Sequence, residues 1–216
     1  MRFFVIRHGE TEWNAKGRFQ GQHNPELNER GIEQSRRTAD YLAGHKFDAV
    51  MSSPLSRALT LAEMIAVNCG TNVEIVPAFT EINHGDWEGC LSTDVQERWP
   101  QLLEAWHESP HTVVMPGEGG ESLDSVQLRA VVAADELTDR YSGDVCIVAH
   151  DAVIKVLICY FLNLPLSAFW RFQIANCGLT IVERITGKAP RISLMGDAHY
   201  LAESGKNFTL PEQKGL

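Results

Sequence analysis

Residues 3–6 (FFVI) form an apolar run, two aromatic and two β-branched side chains, that ends abruptly in Arg7-His8-Gly9-Glu10-Thr11. A run apolar on both faces suits a strand in the interior of a parallel sheet. The pattern recurs late in the chain, where Asp144–Ala149 (DVCIVA) discharges into His150 and Asp151. In open α/β sheets ligands bind outside the carboxyl ends of the strands, so both discharges fall where a site is expected. Gly9 permits a tight turn or a close approach to an anion. Taken alone, Arg7-His8-Gly9 is equally a strand followed by a polar turn.

Between these runs the chain alternates short apolar strands with helical patterns. Residues 14–25 (NAKGRFQGQHNP) read as a loop. Asn28 offers a helix N-cap, and residues 29–44 carry Ile32, Ala39 and Leu42 on one face, with Gly44 as the expected C-cap. Phe47–Ser52 is a second strand; Ser53 and Pro54 read as the N-cap and first-turn proline of a helix bearing Arg57, with Ala58, Leu61, Ala62 and Ile65 inward. Alone, Arg57 reads as a solvated surface arginine. Residues 73–76 form a third strand leading into Glu81-Ile82-Asn83-His84-Gly85-Asp86-Trp87-Glu88-Gly89, a structured loop or a capped turn.

Residues 92–125 read as a cap-like excursion from the sheet, with a helix over 93–107 presenting Val95, Trp99, Leu102, Leu103 and Trp106. Trp87, Trp99 and Trp106 read first as core, since large aromatic side chains are usually buried. A helix over 122–141 has Val126, Leu128, Val132 and Leu137 as inward candidates, and an apolar helix follows over 152–162. Residues 179–185 and 191–194 read as a hairpin with Gly187 in its turn, and a polar tail begins near Gly196. The expected fold is a single α/β domain over residues 1–216, three layers α/β/α around a mostly parallel sheet.

The formal net charge of -9 over 216 residues excludes the basic footprint of a nucleic-acid binder. In so acidic a chain, an anion site must concentrate the few arginines locally. Five cysteines, an odd number without metal-ligand spacing, fit a reducing cytoplasm. Arg7 and Glu10 come too early for a secretory signal, and the most apolar stretch, residues 152–166, holds Lys155 and Pro165 and is too short for a membrane span. No glycine-rich phosphate loop and no helical His pair for a metal occur.

Four segments therefore converge on one sheet edge with Arg7, His8, Arg57, Glu81 and His150. Here the chain resembles the histidine phosphatase superfamily in its phosphoglycerate-mutase-like branch. The resemblance is carried by Arg7-His8-Gly9-Glu10-Thr11 with Asn14 and Gly17-Arg18-Phe19-Gln20-Gly21. It continues in Ser52-Ser53-Pro54-Leu55-Ser56-Arg57-Ala58, in Glu81-Ile82 with Gly85, Trp87, Glu88 and Gly89, in Gly120-Glu121-Ser122, and in Val148-Ala149-His150. It runs over residues 2–183, nearly the whole chain.

The resemblance implies a phosphohistidine mechanism on a small-molecule phosphomonoester. His8 would be the nucleophile, held neutral by Arg7 and Arg57, which together with His150 would bind the phosphoryl group. Glu81 would protonate the leaving alkoxide and then activate water. Asn14, Gln20 and Gly21 would complete substrate binding, with no metal and no cofactor. One residue departs from the pattern: family members often have Gly after the second histidine, where this chain has Asp151, read as a cap of the following helix.

The loop from Glu81 to Trp87, and the stretch from Trp106 through Pro110-His111 to Ser122, are similar to metal-independent phosphoserine phosphatases of bacteria. That branch makes His84 a candidate contact for a substrate carboxylate, beside the plainer reading of a loop-holding histidine. L-Phosphoserine is the favoured substrate. A sugar phosphate or α-ribazole phosphate, a mutase reaction, and non-catalytic binding of a phosphorylated ligand are the alternatives; the loop has Gly21-Gln22 where mutases usually have Gly-Trp. Apolar residues around 161–170 are expected to be exposed in a homodimer interface, and His199 and Tyr200 to close over the site.

Overall fold

In the computed structural model, the described residues are 1–185 and 187–202. A six-stranded mixed sheet runs in the order β3-β2-β4-β1-β5-β6, with β1 Arg2–Arg7, β2 Phe47–Ser52, β3 Val73–Ile75, β4 Asp144–Ala149, β5 Leu179–Glu183 and β6 Arg191–Asp197. The first four in that order are parallel, and β5 and β6 add on antiparallel. The helices are α1 Glu12–Lys16, α2 Glu29–Tyr41, α3 Ser56–Cys69, α4 Ser92–Arg98, α5 Pro100–Glu108, α6 Leu123–Arg140 and α7 Asp151–Phe161. The expected three-layer α/β architecture is present.

Strand side chains alternate between two cores, as the period of two requires. Phe3, Val5, Met51, Val145 and Ile147 face α6, α7 and the 92–123 segment. Phe4, Ile6, Val50, Cys146 and Val148 face α2 and α3. Central strands buried on both faces explain why their sequences are continuously apolar.

Several local expectations are corrected. Helix α2 is N-capped by Asn28 as expected, but it ends at Tyr41 with Leu42 as C-cap. Gly44 lies beyond it at φ +76°. Ile32 is 47% exposed, because the inward face is Gly31, Gln34, Ser35, Thr38 and Ala39. That face is small and polar because it packs on the loop after β1: a Cβ on Gly9 would meet the Gly31 carbonyl at 2.5 Å and Ser35 Oγ at 2.8 Å. The helix expected over 93–107 is two helices, since Pro100 lacks the N–H that would continue α4 and instead opens α5. Leu128 and Val132 of α6 are 69% and 50% exposed, on the face away from Val126, Ala130 and Leu137.

The 161–170 segment is not an exposed apolar patch. Phe161, Leu166, Ala168 and Phe169 are buried in this chain's own core, with Leu164 left outside. Gly196 belongs to β6 rather than to a tail. Tyr200 stacks on Tyr41 at 4.5 Å and donates to the Cys177 carbonyl, while His199 pairs with Asp197, so both lie against α2 instead of closing over the site. Any tail beyond Ala202 lies outside the described residues. Among the described residues, no helix is long and apolar enough to cross a membrane.

Candidate active site

Register builds the centre of the site. Arg7 of β1 pairs with Ala149 of β4 in parallel, so the next residues, His8 and His150, emerge side by side with ring centroids 5.1 Å apart. The His8 N–H donates to the Ala149 carbonyl at 3.1 Å, and the Ser53 N–H at the end of β2 to the Val148 carbonyl at 3.0 Å. Ser53 is therefore not a helix cap. Helix α3 starts at Ser56 with Leu55 as an N-cap that makes no side-chain bond, and Ser53 Oγ lies 2.7 Å from His150 Nε2.

Both histidines are buried. Desolvation first, then the charges of Arg57 and Arg7, hold His8 well below the usual histidine range. His150 is depressed likewise, by burial, Arg57, His8 and Arg7. Neutral His8 has its Nδ1 2.6 Å from the Gly9 carbonyl. That acceptor requires the Nδ1–H tautomer, which leaves Nε2 with the free lone pair. His150 Nδ1 has no hydrogen-bond partner among the described residues.

Arg57 is buried rather than solvated, and its guanidinium is fixed by the chain. Nη1 donates to the His23 carbonyl at 2.7 Å and Nη2 to the Gly21 carbonyl at 2.8 Å. Burial and the neighbouring Arg7 bring its pKa down to about 10, still fully charged at neutral pH. Gly21 must adopt φ +50°, and a Cβ there would collide with the Glu88 carboxylate, so the turn that presents its carbonyl depends on glycine. Arg7 Nη1 donates to the Ile174 carbonyl at 2.7 Å and lies 3.4 Å from Asp151 Oδ1.

Glu81 enters from the loop after β3. Its carboxylate accepts from its neighbour, the Ile82 N–H, at 2.9 Å, with the Ala152 N–H at 3.5 Å from the other oxygen. Burial foremost, and then the charge of Asp151, raise its pKa. The loop is clamped from α6: Arg129 donates to the carbonyls of Ala78, Thr80 and Glu81 and binds both oxygens of Glu121 at 2.8 and 3.0 Å.

His84 lies in an aromatic box of Phe19, Trp87 and Trp106, at 5.2, 6.4 and 6.0 Å between ring centroids. Burial lowers its pKa to about 4, so it is neutral at neutral pH. With Glu81, Trp106, Asp151, Phe169 and Trp170 it lines a cavity of about 20 Å³. Asn14 and Gln20 are tied to Thr11: Gln20 Oε1 accepts from Thr11 Oγ1 at 2.9 Å, and Asn14 Oδ1 accepts from the Thr11 N–H at 3.1 Å. The structure thus brings the two histidines, Arg7, Arg57 and Glu81 to one sheet edge, with Gly21 in contact with Arg57 and His84 lining the same small cavity as Glu81.

Asp151 does not cap α7. It is that helix's first residue, buried, and its carboxylate is taken by Lys155 Nζ at 2.7 Å and by Arg7. Four more residues of the site were not legible as such. Ser53 reads as a cap, Lys155 as a charge interrupting an apolar helix, and Arg129 and Asn176 carry no motif. Asn176 Nδ2 donates to the His8 carbonyl at 3.0 Å.

Two neutral imidazoles and two fixed guanidiniums at the carboxyl edge of a parallel sheet, beside a buried carboxyl whose pKa burial raises, suit a phosphoryl group. The chain belongs to the histidine phosphatase superfamily (branch 1), whose family model matches residues 3–198. It is 35% identical over 185 residues to phosphoserine phosphatase 1 of Hydrogenobacter thermophilus, covering 84% of this chain and 86% of that one. It is 30% identical over 175 residues to the adenosylcobalamin/alpha-ribazole phosphatase of Escherichia coli, covering 81% and 85%. Among solved structures, Bacillus stearothermophilus YhfR superposes with a TM-score of 0.86 at 28% identity, covering 93% of this chain and 99% of that chain. The family and its phosphatase relatives make this protein a phosphoric monoester hydrolase.

Proposed function

We propose that the protein hydrolyses a small carboxylated phosphomonoester, L-phosphoserine foremost, through a phosphohistidine on His8. The observation that carries the reading is a neutral, buried His8 whose Nδ1 is committed to the Gly9 carbonyl, beside Arg7 and Arg57.

His8 Nε2 attacks phosphorus as the P–O bond to the leaving group breaks. The electron pair of that bond goes to the ester oxygen, which takes the proton of Glu81. Arg7, Arg57 and His150 Nδ1–H neutralise the charge on the phosphoryl oxygens, and Asn14, Gln20 and the Gly21 turn border them. Glu81, now ionised, removes a proton from water as its oxygen attacks phosphorus. The P–N bond breaks, phosphate leaves and Glu81 is protonated again. Arg7 and Arg57 supply the positive charge that the chemistry needs, and His150 adds a neutral N–H donor.

One observation supports phosphoserine over the α-ribazole phosphate alternative: neutral His84 borders the cavity beside Glu81, its buried Nδ1 makes no hydrogen bond among the described residues, and it has a ring N–H for a substrate carboxylate. The similarity to phosphoserine phosphatase 1 of H. thermophilus points the same way. A mutase would return the phosphoryl group to an acceptor in place of water.

The test is phosphate release in the presence of EDTA from L-phosphoserine, phosphothreonine, 3-phosphoglycerate, fructose phosphates and α-ribazole phosphate, with H8A as control. The expected result is a strong preference for phosphoserine, lost in H8A, with acid-labile phosphate trapped on the wild-type protein by rapid quench. Phosphate release that survives in H8A overturns the mechanism; a preference for another ester overturns the substrate alone.

A further inference from the structure

Asp151 and Lys155 are a buried ion pair that the catalytic scheme does not use. Lys155 is fully buried in an apolar helix, its Nζ 2.7 Å from Asp151 and over the rings of Trp170 and Phe169 at 4.4 and 4.9 Å. Burying an ammonium and a carboxylate costs several kcal/mol each unless they are paired, so a pair kept in an apolar helix needs a reason. Its position offers one. Asp151 and Glu81 line the same small cavity, and Glu81 Oε2 lies 3.5 Å from the N–H of Ala152, the residue after Asp151.

We propose that Asp151 is a positioning residue for the proton on Glu81: a second buried carboxylate, held ionised by Lys155 and Arg7, that opposes ionisation of the acid. Two carboxylates sharing one site cannot both ionise cheaply. Lys155 and Arg7 give the negative charge to Asp151, and the proton therefore stays on Glu81. The other charged groups around Glu81 act against this. Arg7 and Arg57 favour its ionised form, and Arg129 holds its backbone carbonyl from α6; His84, across the cavity, is neutral. Without Asp151 the acid would sit among cations alone and give up its proton at lower pH. The same charge helps the second half-reaction, since a carboxylate that resists ionisation is a stronger base towards water.

This inference rests on Glu81 being the general acid. The sign follows from that role. Phosphorylation of His8 needs protonated Glu81, so kcat/KM for an alkyl ester falls as pH rises through the Glu81 pKa. Removing the Asp151 charge lowers that pKa, and the fall comes at lower pH.

The experiment is the pH dependence of kcat/KM for phosphoserine in wild type, D151N, D151N/K155M and E81Q, with circular dichroism to confirm folding. D151N is expected to move the basic limb towards acid by about one pH unit or more, the ordinary effect of a close charge. The double variant, which also removes the Lys155 ammonium, moves it in the same direction by a smaller amount. With p-nitrophenyl phosphate, whose leaving group departs as an anion, the limb does not move. D151G serves where D151N does not fold and carries the same expectation. An unmoved limb in a folded D151N or D151G overturns the inference, as does a shift in D151N that vanishes in D151N/K155M. A basic limb that persists in an active E81Q overturns the role of Glu81 itself, a separate failure.

Discussion

Ser53 Oγ lies 2.7 Å from His150 Nε2 and joins the carboxyl ends of β2 and β4 by a side-chain bond. The two residues are 97 positions apart in the chain. Through this bond Ser53 fixes the ring orientation of His150, and Nδ1, without a partner among the described residues, is the atom to which the proposed mechanism assigns the phosphoryl group. In S53A, a buried ring nitrogen loses its partner, which costs about 1–3 kcal/mol. Urea denaturation should show that loss, and kcat/KM should fall by about tenfold or more as the ring moves out of place. Full activity in S53A would mean that packing alone orients His150.

Stability should depend on pH through the same buried rings. His8, His84 and His150 all have folded pKa values below the ordinary 6.5. Above pH 6.5 neither state protonates them, and their contribution to the pH dependence is nil. As pH falls below 6.5, the unfolded chain takes up protons that the folded one refuses, and stability is lost. Each histidine contributes a slope of about 1.4 kcal/mol per pH unit. Glu81 works the other way: its raised pKa lets the folded state keep a proton that the unfolded chain has released above 4.5, so it adds stability as pH falls. Even against the full opposing slope of one group, three histidines leave a net loss, and unfolding free energy should drop by at least about 2 kcal/mol per pH unit between about pH 6 and 5. Chemical denaturation at half-unit intervals checks it; a flat profile contradicts buried, neutral histidines.

On the proposed function, His84 would serve substrate recognition apart from the chemistry. It borders the cavity beside Glu81 but reaches neither His8 nor the arginines in any hydrogen bond. H84A should raise KM for phosphoserine by about tenfold, the worth of one polar contact, with a much smaller change for p-nitrophenyl phosphate. Equal changes for both would return His84 to a loop-holding role.

In the proposed mechanism Arg129 acts on the acid from a distance. It binds the carbonyls of Ala78, Thr80 and Glu81 and both oxygens of Glu121, a planar fork that an ammonium does not reproduce. R129K should lose about 1–3 kcal/mol of stability. It should also slow phosphoserine hydrolysis more than that of p-nitrophenyl phosphate, because only the first needs Glu81 in place. Steady-state kinetics on both esters decides it.

Much of the molecule was legible in the chain. Apolar runs of two-sided strands, the Asn28 cap, and the histidine, arginine and glutamate motifs all have local physical causes: burial on both faces, an unsatisfied helix N–H, a glycine turn. Other features depend on which element lies opposite. Leu128 and Val132 look inward by composition and face out because α6 rests on its Val126, Ala130 and Leu137 stripe. Ser53 looks like a cap until β4 sets His150 beside it. Asp151 looks like a cap until α7 carries Lys155 around one turn to meet it.

The sequence by itself determined the layered α/β class, written in contiguous patterns of period and turn, while its motifs pointed to phosphoryl chemistry and to five candidate side chains through their resemblance to the family. The tertiary structure alone decided how those side chains act. The parallel register of Arg7 with Ala149 sets two histidines 5.1 Å apart. Burial then makes them neutral and raises the pKa of Glu81. Charge states inside a protein depend on distance and desolvation, and neither exists until the strands are paired.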